Sequence, residues 1–261
     1  KGLPAKELEH LKARSLITQK TLLTSVNAYL VNTGSQLILV DSGSAACFGP
    51  TVGQLPENLK AAGYTPEQVD LIVITHMHGD HLCGVKSADG KALFPNAVLR
   101  VAKADAEFWL SEEAAAKAPE GMKGLFGMAR EAVKPYLAAD KFKPFKPGET
   151  LADGMQVLDT KGHTPGHSSY QFSSKGQSLI VIGDLIHVHA VQLPRPQTGI
   201  VFDVNGAQAI PMRKHIFDAA ANNKTWLAAT HLPFPGLGQV RSEGKSYAWV
   251  PADFAPFGVA R

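Results

Sequence analysis

Four side chains that can bind a metal ion lie within six residues of this chain: His76, His78, Asp80 and His81. The apolar run 71–75 directly before them predicts a buried strand whose carboxyl end opens into a loop. His76 and His78 alternate, so both imidazoles can point to one cation. Asp80 and His81 follow a glycine turn and can face a second cation. Histidine and aspartate without a thiolate suit zinc or a similar divalent ion, whereas a histidine-rich surface loop fits poorly behind a hydrophobic strand.

Three more potential ligands follow short hydrophobic stretches later in the chain: His163, Asp184 and His231. The carboxyl ends of strands form the edge of a sheet where binding sites are built. Taken alone, Asp184 would be more typical of a turn, and His231 of a partly buried histidine bonded to the backbone. Because the same arrangement recurs after several strands, the joint pattern favours one shared metal site.

This order of histidines and aspartates resembles the metallo-β-lactamase superfamily along essentially the whole chain. The resemblance implies the following ligands: His76, His78 and His163 for a first metal, Asp80, His81 and His231 for a second, and Asp184 between them. It also implies catalytic roles for Asp184 as the bridge and for Asp80, which orients water or moves a proton. Asp41 is expected to support the site from behind without binding metal, with a turn-capping aspartate as the alternative.

Several segments resemble one branch of that superfamily, the methyl parathion hydrolase-like and dihydrocoumarin hydrolase-like enzymes. These segments are 96–100, 107–110, 141–145, 162–167 and 231–236. The expected fold is α/β: a four-layer αβ/βα sandwich with two facing mixed sheets and outer helices. A single domain over residues 1–261 is predicted, with a helical insertion at about 103–140 near the active site.

The resemblance implies a binuclear metal-dependent hydrolase of lactones and aryl esters, with weaker phosphotriesterase activity. Two divalent ions per chain are expected, zinc in the first place and Mn²⁺, Co²⁺ or Fe²⁺ as alternatives. Such ions lower the pKa of a water molecule to about 7, which makes it a nucleophile for a carbonyl carbon.

Apolar residues near the ligand motifs, in loops and in the helical insertion, predict a pocket for an aryl or alkyl ester. They are Phe48, Phe108, Trp109, Phe126, Ile200, Phe202 and Phe234. For each of them, core packing is the alternative role. His187 comes three positions after Asp184, so we expect it at the mouth of the site. There its imidazole could bond to a lactone or ester oxygen and would obstruct a bulky neutral triester.

Other functions stay open at this point. An organophosphate triester hydrolase is the nearest alternative, and a non-catalytic metal- or ligand-binding protein is an alternative of another class. The intact ligand set argues against the second. A β-lactamase is a weaker third, because Cys47 and Cys83 match no ligand position of the common zinc β-lactamases.

The composition limits partners and location. A net charge of +3 gives no case for nucleic acid, and no apolar run approaches the length of a bilayer-spanning helix. We therefore expect a small-molecule substrate and no membrane partner, with a homodimer left open. Two cysteines are not expected to make a disulfide framework. The chain begins with Lys1, which is typical of a mature or trimmed form, and the resemblance favours a periplasmic or secreted protein.

Overall fold

Two β-sheets form the centre of the fold, which the computed structural model describes for residues 2–253. In chain order the strands are β1 (Tyr29–Asn32), β2 (Leu37–Val40), β3 (Leu71–Val73), β4 (Val98–Arg100), β5 (Met155–Asp159), β6 (Ser168–Ser174), β7 (Gln177–Val181), β8 (Trp226–Ala228), β9 (Leu237–Glu243) and β10 (Ser246–Pro251). One sheet has the order β1-β2-β3-β4 and the other has the order β10-β9-β8-β7-β6-β5. Both sheets are mixed, because β2-β3-β4 and β7-β8 pair in parallel and the remaining neighbours are antiparallel.

Apolar side chains fill the space between the sheets. Ile38 and Val73 of the first sheet share a buried cluster with Tyr170 and Val181 of the second. Leu39 is also fully buried, but it belongs to a different cluster on the outer side of the first sheet. Because both faces of β2 and β3 are covered, these strands are continuous apolar runs and not alternating ones.

Helices cover the outer faces of both sheets. They are α1 (Ala5–Arg14), α2 (Leu55–Ala61), α3 (Gly79–Leu82), α4 (Lys103–Trp109), α5 (Glu112–Lys117), α6 (Glu120–Ala138), α7 (His189–Gln192) and α8 (Gly206–Asn223). Val133 of α6 packs in the cluster with Leu39, and Phe217 of α8 packs with Ile180 of β7. The α/β prediction of two mixed sheets with helices is therefore confirmed. Within residues 2–253 no helix has the length and apolar character needed to cross a membrane.

The helical region after β4 differs in detail from the sequence-based expectation. The first part of the helical insertion predicted at about 103–140 is two separate helices, because the Ser111 side chain accepts the N–H of Ala114 at 3.1 Å and starts α5 anew. By contrast, α6 runs without interruption through its internal glycines. Its buried face, which includes Phe126 and Tyr136, packs on the core. This packing stabilises the helix by more than the low helix propensity of the internal glycines destabilises it.

A disulfide joins Cys47 to Cys83 with an S–S distance of 2.06 Å. The sequence predicts no disulfide framework from two cysteines and does not indicate this single bridge. They are 36 residues apart in sequence, and only the fold brings the loop after β2 against the segment that follows α3. The bridge therefore ties that loop to the end of the helix that carries Asp80 and His81.

Candidate metal centre

Loops at one edge of the two sheets bring together all seven predicted ligands: His76, His78, Asp80, His81, His163, Asp184 and His231. The first four lie in the loop after β3 and in α3, and His163 lies in the loop that joins β5 to β6. Strands β7 and β8 are parallel neighbours, so their carboxyl ends place Asp184 and His231 side by side. The strand-end pattern in the sequence thus corresponds to one shared edge in the fold.

The first group of ligands consists of three imidazoles and one carboxylate. Nδ1 of His78 lies 2.9 Å from Nε2 of His76 and 3.1 Å from Nε2 of His163. Oδ2 of Asp184 lies 3.1 Å from Nε2 of His163 and 3.5 Å from Nε2 of His76. All four side chains are buried. Three nitrogens and one oxygen so arranged are a ligand set that zinc accepts.

The second group faces the other oxygen of the same carboxylate. Oδ1 of Asp184 lies 3.1 Å from Nε2 of His81 and 3.1 Å from Nε2 of His231. Oδ2 of Asp80 completes the group, 3.7 Å from Nε2 of His81 and 3.5 Å from Nε2 of His231. Because each oxygen of Asp184 serves one group, this residue can bridge two cations.

Some donor atoms of the two groups lack hydrogen-bond partners in the described part of the chain, as expected of atoms that bind divalent ions. Nε2 of His81 and Oδ1 of Asp184 are buried and 3.1 Å apart, yet neither makes a hydrogen bond within residues 2–253. Buried polar atoms normally have a partner, and a cation between them would serve both. Imidazole and carboxylate donors without thiolate suit zinc and similar ions.

Burial and mutual charge control the protonation of this cluster. Burial lowers the pKa of His76 and of His78 well below the usual range, so both rings are neutral and ready to bind metal. Burial alone would raise the pKa of Asp184, but His231, His81 and the other imidazoles hold it well below the usual range. The bridging carboxylate is therefore ionised.

Asp41 supports the second group from behind. It follows β2 with a left-handed φ of 58°, which turns its carboxylate toward the neighbouring strand end. Oδ1 accepts the backbone N–H of Thr75 at 2.7 Å, and Oδ2 accepts the Thr75 hydroxyl at 2.9 Å. The same Oδ2 lies 2.8 Å from Nδ1 of His81, which leaves Nε2 of that ring for a metal.

Two further partners of the ligand rings were not found from the sequence. Oδ1 of Asp203 lies 3.0 Å from Nδ1 of His163, and the carbonyl of Ser25 lies 2.8 Å from Nδ1 of His231. Burial opposes a charge on His163, but the carboxylates of Asp184 and Asp203 outweigh burial and raise its pKa to about 9. No local spacing marks Asp203 or Ser25, because each reaches its histidine from a distant part of the chain.

Three of the predicted pocket residues lie in or against the core behind the first group. Trp109 and Phe126 are fully buried, and Phe108 is partly buried beside them. The Trp109 ring stands edge-on to His78 at 5.0 Å between centroids, and Phe126 packs on Trp109 at 4.7 Å. The expectation that Trp109 and Phe126 face substrate is therefore corrected: core packing accounts for them.

The other predicted apolar residues are more accessible. Phe48, Phe202 and Phe234 are 49%, 55% and 82% exposed, and Ile200 is partly buried. Phe48 is near the ligand loop, since a Cβ built on Gly79 would lie 3.1 Å from its Cε2 atom. We call Phe48, Phe202 and Phe234 the aromatic rim.

His187 lies deeper than expected from the sequence. Its Nε2 lies 3.0 Å from Oδ2 of Asp184, and its ring stacks on His231 with centroids 4.9 Å apart. Burial lowers the pKa of His187 to about 4, so the ring is neutral. Instead of an exposed position at the mouth, it lies directly against the bridging carboxylate.

Comparison with known proteins agrees with this geometry. The family model of the metallo-beta-lactamase superfamily matches residues 22–246. An N-acyl homoserine lactonase from Bacillus sp is 32% identical over 195 residues, which are 67% of this chain and 69% of that protein. The crystal structure of the hydrolase AbOPH, in the beta lactamase superfamily, has 43% sequence identity and a TM-score of 0.94, over 98% of this chain and 89% of that chain.

A further solved structure is that of AidC, a dizinc quorum-quenching lactonase in complex with a product, N-hexnoyl-L-homoserine. It has 27% sequence identity and a TM-score of 0.88, over 97% of this chain and 88% of that chain. The predicted resemblance, including its lactonase-like branch, is confirmed by these relatives. Since the family model matches most of the chain and the structure assembles histidine and aspartate groups that could hold metal ions, this chain belongs to the metallo-beta-lactamase superfamily and is a metal-dependent hydrolase.

Proposed function

We propose that this chain hydrolyses lactones and aryl esters of the dihydrocoumarin type, with weaker activity on phosphotriesters. The observation that carries this proposal is the placement of a neutral imidazole, His187, against the carboxylate shared by both ligand groups. The lactonase relatives support a lactone substrate, and the dizinc neighbour supports zinc in both positions.

When bound, two divalent ions supply Lewis acidity and lower the pKa of water to about 7. The side chains of the protein would hold these ions and transfer protons. Asp80 is 24% exposed, unlike the buried Asp184, so its carboxylate can exchange a proton between the site and solvent. We assign Asp80 the role of orienting the attacking water and carrying a proton to the leaving alkoxide.

The surroundings of the ligands favour a flat, apolar substrate with one polar oxygen. The aromatic rim offers apolar contact to an aryl ring or an acyl chain. The Nε2–H of His187 can turn from Asp184 to a ring or ester oxygen of the substrate. A phosphotriester offers no planar carbonyl and carries bulky substituents toward this imidazole, so we expect slower turnover of triesters.

A substrate panel on metal-reconstituted protein tests the proposal. We expect kcat/KM to be highest for dihydrocoumarin or an N-acyl homoserine lactone and lower for a dimethyl aryl phosphotriester. A higher value for the triester would favour the organophosphate hydrolase. Activity on none of these substrates, with both metals bound, would favour a non-catalytic binding protein. Nitrocefin serves as the control for β-lactamase activity.

A further inference from the structure

Asp105 is a buried carboxylate that the chemistry above does not use. It lies in α4 and is 0% exposed. Within residues 2–253 it has no ion pair with Lys or Arg, and burial raises its pKa. A buried carboxylate without a cationic partner is costly unless its oxygens accept hydrogen bonds.

Its two oxygens bind two different loops. Oδ2 accepts the backbone N–H of Met77 at 2.9 Å, and Oδ1 accepts the backbone N–H of Gly166 at 2.6 Å. Met77 lies between the ligands His76 and His78, and Gly166 follows the ligand His163 by three residues. One side chain therefore connects the two segments that carry the three imidazoles of the first ligand group.

The packing around Gly166 keeps this connection short. A Cβ built on Gly166 would lie 2.5 Å from the backbone nitrogen of Asp105 and 3.0 Å from the Cβ of Ala102. Only glycine lets the loop approach the start of α4 so closely. The backbone of the loop is thus held directly against the helix that carries the carboxylate.

The second ligand group is held by other residues. Ser42 donates its backbone N–H at 2.7 Å and its hydroxyl at 2.9 Å to the carbonyl of His81. Asp41 contacts the ring of the same histidine. A change at Asp105 should therefore disturb one group and leave the other in place.

We propose that Asp105 is the positioning residue of the first metal position: it sets the separation of the His76–His78 loop and the His163 loop, and so the affinity of that position for its metal. It touches no reacting atom. The proposal concerns metal binding alone and is independent of the substrate assigned above.

Asp105→Asn tests this proposal, because an amide is close in size but presents an NH₂ group to one of the two backbone N–H donors. We expect the first metal to bind about 10-fold to 100-fold more weakly and the second to change less than about threefold. Asp41→Asn is the matched control and should weaken the second position selectively. Metal content after dialysis against graded chelator gives the two affinities, and anomalous diffraction of metal-limited crystals assigns each retained ion to a position.

If Asp105 only stabilises the fold, its substitution should not weaken one metal position selectively. Equal weakening of both positions, or two fully retained metals with only a lower melting temperature, would overturn the proposal. If Asp105→Asn does not fold, Asp105→Glu keeps the charge and moves the oxygens by one methylene, and the same comparison applies. Failure of both variants to fold would also overturn it, since the residue would then be required for the fold and not for one metal position.

Discussion

At the scale of single residues, the centre depends on how Asp184 divides its two carboxylate oxygens. Oδ2 faces His163 and Oδ1 faces His231, each at 3.1 Å. The backbone N–H of Asp184 donates to Nε2 of His167 at 3.0 Å, and burial lowers the pKa of that ring to about 3, so it remains a neutral acceptor. The orientation of the bridge is therefore fixed by a histidine that is not itself among the seven ligands.

We expect His187→Leu to raise phosphotriester turnover relative to lactone turnover, by about 10-fold in the ratio of kcat/KM values. The substitution removes the N–H that can bond to a lactone oxygen and the imidazole that obstructs a bulky triester. The ratio is measured with a lactone and a dimethyl aryl phosphotriester on the same preparation. His189→Leu is the control, because His189 is only half-buried and belongs to none of the ligand groups. An unchanged ratio in His187→Leu would contradict the assigned role.

The candidate ligands and one supporting residue, Asp41, could be named from the sequence, but the other partners of these side chains could not. Ligand spacing and preceding hydrophobic strands are local features, so all seven side chains could be named in advance. Asp203, Asp105 and Ser25 are 40, 61 and 206 residues from the atoms they contact in His163, Gly166 and His231. Only the fold brings such pairs together, and nothing in the spacing marks them.

At the scale of secondary-structure elements, one buried arginine connects α8 to the loop that carries the bridge. Arg213 is 1% exposed, and its guanidinium donates to the carbonyls of Leu185, Pro196 and Thr198. Leu185 directly follows Asp184. A single cation on α8 thus serves three loop carbonyls, of which that of Thr198 also accepts the side-chain amide of Gln192.

Arg213→Leu is expected to lower the free energy of unfolding by about 3 kcal/mol, because three buried carbonyls lose a charged donor. Urea denaturation followed by circular dichroism measures this difference. Lys214→Leu, one position away on the exposed side of α8, should change it by less than about 0.5 kcal/mol. Equal effects of the two substitutions would show that the carbonyl contacts of Arg213 add nothing to stability.

Element boundaries were harder to predict than element types. The apolar run 71–75 predicts a strand, and the structure has β3 at Leu71–Val73. The break between α4 and α5 depends on a single capping bond by Ser111 inside a run of good helix formers. Helix α6 is continuous because its buried face packs on the core, and local helix propensity does not indicate such packing.

At the scale of the whole molecule, the candidate metal ligands come from both sheets, so a metal bound by them would join the two halves of the fold. Without metal, Asp184 and Asp203 raise the pKa of His163 to about 9, so this ring carries a proton at neutral pH that a metal must displace. Burial opposes a charge on His81 and on His231, but the carboxylate of Asp184 raises the pKa of both, so metal affinity should rise with pH through the range in which these three rings lose their protons. Calorimetric titration of the metal-free protein in buffers of different ionisation enthalpy measures the protons released. Binding at pH 7 without proton release would contradict this account.

The Cys47–Cys83 bridge should contribute to stability by restricting the unfolded chain. For a separation of 36 residues, chain entropy predicts about 4 kcal/mol. Cys47 is exposed, so a dithiol reductant can reach it. We expect reduction to lower the melting temperature by roughly 10 °C, whereas Cys47→Ser/Cys83→Ser should melt low with or without reductant. The same melting temperature for the oxidised and reduced protein would contradict this expectation.

The aromatic rim is separate from the candidate metal ligands. Phe48, Phe202 and Phe234 are 49%, 55% and 82% exposed, and none of them is a ligand. Replacing an exposed side chain changes folding stability by less than about 0.5 kcal/mol. We therefore expect substitutions at these three positions to change the preference among the proposed substrates while the two groups of candidate ligands keep their arrangement.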